Sequence, residues 1–142
     1  KTIYEIAGRK PWQSLVEVEP IGPRKLLDIM VVAPCTGTTL GRLALGISDT
    51  PVSLACKAHL RNNRPVVVGI STNDGLGANL PNVAAMLNQK NIYFVPFGQD
   101  DPQNKPKSLV AKMELLQDTI INALKGEQIQ PVLIGNLKGK NN

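Results

Sequence analysis

Six consecutive residues, Pro34-Cys35-Thr36-Gly37-Thr38-Thr39, bring together three hydroxyls and a glycine between an apolar run and a helix-like pattern. Residues of these types suit the holding of an anion: small side chains let backbone amides come close, Gly37 relieves steric limits on φ, and the hydroxyls of Thr36, Thr38 and Thr39 add donors. They suit a plainer task equally, because Thr36 or Thr38 can cap the helix that follows. No GxGxxG or Walker pattern decides between the two. A second polar cluster, Ser71-Thr72-Asn73-Asp74, ends another apolar run. Asp74 serves as a proton acceptor if an apolar site raises its pKa, while Asn-Asp-Gly is also ordinary turn chemistry. Gln99 and Asp100, after a third run, either line the same cleft or belong to a polar surface loop.

His59 is the single histidine and has no Ser, Cys or acidic partner at motif spacing, so a structural role is expected. Cys35 and Cys56 lie far apart, give no CxxC metal or redox spacing, and read as small packed hydrophobes in a reducing cytoplasm. No metal site is expected. The net charge of +5 comes from scattered Lys and Arg, and two Phe, two Tyr and one Trp offer few stacking surfaces, which argues against nucleic acid as a partner. The longest apolar runs fall far short of the roughly 20 residues that span a bilayer.

The elements that must position these residues follow from the hydrophobic pattern. Residues 26–33 and 65–70 are nearly continuous apolar runs, as in parallel strands buried on both faces, and 91–97 is a third strand broken by Pro96. Helical spacing predicts helices over 39–47, 52–60, 82–89 and 108–124, the last with Ser108 as cap and Gly126 after its end. Residues 3–6 read as the end of a helix and 15–18 as a short strand. Strands alternating with helices imply a three-layer αβα sandwich with a flavodoxin- or Rossmann-like parallel sheet. Three strong strands are few for such a sheet, whose flavodoxin-like form has about five. Residues 1–135 are expected to form one domain and 136–142 a polar tail.

The stretch "APCTGTTLGRLALGISD" resembles the PASANT motif of the homo-oligomeric flavin-containing cysteine decarboxylases, and "STNDGLG" stands at the place of their P-x-M-N-x-x-M-W motif. Within that superfamily, "EPIGPRKLLDIMVVAPCTG", "KAHLRNNRPVVVGISTNDGLG", "KNIYFVPFGQD" and "IQPVLI" are together similar to the B-chain family of dipicolinate synthases. The resemblance implies a flavodoxin-like fold whose members begin with a strand, a Gly/Ser-rich phosphate loop and a helix that this sequence lacks, hence an N-terminal truncation. It implies bound FMN, with Pro34, Cys35, Thr36, Gly37, Thr38 and Thr39 on its phosphate and ribityl side, Thr38 standing where the flavin enzymes have Asn. Asn73 matches the Asn that contacts the substrate carboxylate, whereas Ser71, Thr72 and Leu76 depart from the second motif.

Glu19 and Pro20 occupy the place of the decarboxylases' His, so the resemblance implies oxidation of dihydrodipicolinate to dipicolinate during sporulation rather than decarboxylation. Asn73 and Asp74 are its candidate catalytic residues. A separate A chain using NADP, homo-oligomerisation and a mother-cell cytoplasm belong to the same implication. A dicarboxylate substrate calls for cationic donors, for which Arg24, Lys25, Lys57 and Arg61 are candidates beside the plainer reading of solvated charges. The alternative function is a non-catalytic scaffold that activates the A chain without holding flavin.

Overall fold

Residues 66–70 leave no surface to water: Val66, Val67, Val68 and Ile70 are fully buried, so the strand they form is covered on both faces. In a computed structural model that describes residues 7–135, this strand, β2 (Val66–Thr72), lies between β1 (Met30–Cys35) and β3 (Ile92–Phe94), parallel to both. Helices flank the sheet: α1 (Leu15–Val18), α2 (Gly37–Leu45), α3 (Pro51–Arg61), α4 (Leu80–Leu87) and α5 (Leu116–Leu124). The expected α/β class with a mainly parallel sheet is therefore the one observed. The segments 3–6 and 136–142 lie outside the described residues.

Three elements differ from the sequence reading. Residues 15–18 are helical rather than extended, because Ser14 caps the turn by accepting from Glu17 N while Glu17 takes bonds from Ser14 Oγ and Gln13 N. The first strand begins at Met30 and not at 26, since a 3-10 turn over Glu19–Ile21 continues through Lys25, at φ 50°, and draws Leu26 N onto Ile21 O. That strand is covered on one face only: Val31 is 38% exposed beside a groove of about 630 Å³ that Trp12 also lines.

The predicted helix 108–124 is a helix only from Leu116. Its first residues form β5 (Leu109–Ala111), antiparallel to Ser71–Thr72 on one side and to β4 (Phe97–Gly98) on the other. Leu109, Met113 and Leu116 carry a helical spacing by coincidence, and sheet pairing overrides it. Gly126 does end the helix in the left-handed region, at φ 77°.

The far margin of the sheet is clothed by the C-terminal segment. Gln128 accepts from Phe94 N at 2.8 Å and donates to Phe94 O at 2.7 Å, doing for β3 what a neighbouring strand would do. Beyond it, Phe97 N donates to Val132 O and Ile134 N to Phe97 O. Gly98 is required here, since a Cβ would collide with Ile134 O.

Candidate functional site

The carboxyl ends of β1 and β2 lie side by side, with Cys35 in register with Ile70, and the chain leaves each through one of the two polar clusters. Ligands of open parallel sheets bind at this edge. A hollow of about 530 Å³ opens there, with Gly37 and Thr38 from the start of α2 on one wall and Ser71, Asn73 and Asp74 on the other. The amides of Gly37 and Thr38, as the first two of a helix, have no intrahelical acceptor.

Thr36 is the N-cap of α2: its Oγ1 accepts from Thr39 N at 3.4 Å and lies 3.3 Å from Thr39 Oγ1. Capping and cradle thus coexist, Thr36 serving the helix and Gly37 and Thr38 the hollow. Gly37 does not use a positive φ. It clears space, for a Cβ would fall 2.7 Å from Thr72 Oγ1, 2.8 Å from Asn79 Nδ2 and 3.2 Å from Asp74 Oδ1.

Those three side chains form one network. Thr72 Oγ1 donates to Asp74 Oδ1 at 2.5 Å, Asn79 Nδ2 donates to the same oxygen at 2.9 Å, and Asn82 Nδ2 donates to Asn79 Oδ1 at 2.9 Å. The Thr72 bond first, then the Asn79 bond, hold the Asp74 carboxyl below its ordinary value of 3.8. The raised pKa that a proton acceptor needs is therefore not met, and Asp74 stands ionised. Asn79 and Asn82 escaped the sequence reading. Asn79 stands at the N-cap of α4 without making a capping bond, and that diversion is visible only in three dimensions.

The other candidate residues are dispersed. Pro34 lines the groove beside Trp12, and Cys35 is fully buried, its thiol pushed up to about 12 by desolvation. Cys56 is likewise buried and pushed up to about 12 by desolvation, with Met30 Sδ 3.3 Å from its sulfur. Lys57 and Arg61 share a cavity of about 300 Å³ with Arg42 and Gly46, at the opposite end of α2 from the hollow, ~13 Å of helix away. Arg24 and Lys25 are exposed in the turn after Ile21, and Glu19 is exposed on the 3-10 turn.

His59 is 1% exposed and donates from Nε2 to Pro65 O at 3.0 Å, a structural tie within the core. Gln99 donates to Pro106 O, and Asp100 Oδ1 is buried with no hydrogen-bond partner among the described residues. No group of three or more His, Cys, Asp or Glu among the described residues could hold a metal, and no described helix is long and apolar enough to cross a membrane.

Comparison with known proteins gives the chain a family and a set of relatives. The family described as Flavoprotein matches residues 2–125. The B-type subunit of dipicolinate synthase from Bacillus subtilis (strain 168) is 52% identical over 139 residues, which are 98% of this chain and 70% of that protein. The crystal structure of the B-type subunit of dipicolinate synthase from Bacillus halodurans C superimposes with a TM-score of 0.92 at 52% identity, over 95% of this chain and 69% of the other. The FMN-dependent cysteine decarboxylase SpaF has a TM-score of 0.60 at 19% identity, over 87% of this chain and 68% of that one, a likeness of fold.

Proposed function

Because this chain belongs to the flavoprotein family, we propose that it acts as a dipicolinate synthase B-type subunit, holding FMN and taking part in the oxidation of dihydrodipicolinate to dipicolinate during sporulation. The observation that carries this reading is the 52% identity to a B-type dipicolinate synthase component across 98% of the chain. A partner A chain, using NADP, completes the enzyme, and homo-oligomers and a mother-cell cytoplasm belong to the same reading.

The hollow suits part of a flavin. Its floor is cleared at Gly37, the outward amides of Gly37 and Thr38 can donate to oxygen, and Asn73 offers both a donor and an acceptor. FMN, held with the help of Gly37, Thr38 and Asn73, would supply the two-electron acceptor that aromatisation of a dihydropyridine requires. The chain's own part is to orient and to bind. Asn73, just beyond the end of β2, serves the bound group in the hollow as a neutral hydrogen-bonding partner. Asp74 stays ionised and positions its neighbours rather than moving the proton.

A scaffold role, in which the chain activates the A chain without flavin, is favoured by one observation: among the described residues, no basic side chain lines the hollow. The two readings separate on one experiment. Titrated with FMN, this chain is expected to develop a protein-bound flavin spectrum, and added to the A chain with substrate it is expected to raise dipicolinate formation in step with flavin loading. Turnover that rises equally with flavin-free protein would leave only the scaffold.

A further inference from the structure

Among the described side chains lining the hollow, Asp74 is charged and none is basic. Lys107 is a nearby cation, its Cδ 3.8 Å from where a Gly77 Cβ would sit, but it does not line the hollow and makes no ion pair with Asp74. The carboxylate is pinned rather than free: Thr72 and Asn79 both donate to Oδ1, and Asn82 steadies Asn79. Oδ1 stands 3.2 Å from the position of a Gly37 Cβ, so the first turn of α2 already faces an anion supplied by the chain itself.

A phosphate or carboxylate entering this hollow would meet a like charge beside the amides it needs, with no cation to offset it. An uncharged donor meets the opposite situation. Both side-chain bonds fall on Oδ1, Oδ2 takes neither, and an ionised carboxylate only accepts. In dinucleotide-binding sheets an acid beyond a strand end likewise takes a ribose hydroxyl, and an Arg stands nearby where that hydroxyl carries a phosphate instead.

We infer that Asp74 is a specificity-determining residue: it reserves the hollow for an uncharged, hydroxyl-bearing group, such as the sugar-alcohol arm of a flavin, and turns phosphate and carboxylate away. The proposed flavin role enters only in naming the hydroxyl-bearing group. The phosphate of FMN and the carboxylates of a substrate are then held elsewhere.

The test uses Asp74→Asn, which keeps an acceptor at Oδ1 for Thr72 and Asn79 and matches the volume beneath Gly37, so the fold is retained and is checked by an unchanged unfolding midpoint. Amide resonances of Gly37 and Thr38 are followed as inorganic phosphate is added. They stay in place in the wild type and shift to saturation in the variant, with affinity raised roughly tenfold or more. In a second arm, flavin fluorescence reports the binding of riboflavin and of lumiflavin, which has the ring without the polyol. The variant weakens riboflavin about tenfold and leaves lumiflavin unchanged. Wild-type amides that titrate with phosphate as readily as the variant's, or equal effects on the two flavins, overturn the inference. If neither flavin binds but phosphate behaves as described, the flavin reading falls and the charge selection stands.

Discussion

Gly37 is the residue on which the site's geometry turns, and its role was only half legible. Its glycine identity pointed to a close approach or an unusual φ, and the structure uses the first. Gly37→Ala sets a methyl against Thr72 Oγ1 and Asn79 Nδ2 and is expected to cost about 1–3 kcal/mol, read as a lower urea midpoint together with weakened ligand binding. The two thiols were readable as packed hydrophobes, and their burial makes that chemical. With both pKa values pushed from 9.0 to about 12, alkylation by iodoacetamide at pH 8 should run roughly a thousandfold slower in the native than in the unfolded chain; mass spectrometry showing equal rates would refute it. His59 carries a pH dependence whose sign follows from desolvation, which lowers its pKa below 6.5. The unfolded state then binds the proton more readily, so the stability His59 confers is complete above 6.5 and is lost as pH falls through the lower folded value. Urea midpoints should drop between pH 7 and pH 5, and His59→Gln should flatten that slope.

Elements were legible where the chain's own pattern decides them and illegible where a neighbour does. The α3 helix is self-announcing: Thr50 and Ser53 form a reciprocal capping box, Pro51 sits in the first turn, and the buried face follows Ala55, Cys56, Ala58 and His59. The β5 strand is three residues long and exists because Ser71, Thr72, Phe97 and Gly98 offer it two partners from distant parts of the sequence. Nothing in Leu109-Val110-Ala111 separates it locally from the helical stripe that follows. Gln128 is a similar case, since a lone glutamine after a helix carries no sign that it will mimic a strand. Gln128→Ala strips Phe94 of both backbone partners and is expected to destabilise the fold by about 1–3 kcal/mol, with faster hydrogen exchange at Phe94 as the local readout.

At the scale of the molecule, the alternation of apolar runs with helical patterns was enough to establish the α/β class, because strands buried on both faces need a layer on each side. The site edge was legible too, since carboxyl ends of adjacent parallel strands define it wherever the loops go. What could not be read was how the cations distribute, and the fold carries Lys57 and Arg61 to the far end of α2, away from the hollow. The clothing of the far margin by Gln128 and residues 132–134 has a consequence for how copies of this chain can join. The backbone groups of Phe94 are taken by Gln128 and those of Phe97 by Val132 and Ile134, so at these residues the margin has no donors or acceptors left to offer. A second copy laid along this margin therefore finds no strand to extend, and any contact it makes there must come from side chains rather than from a continued sheet.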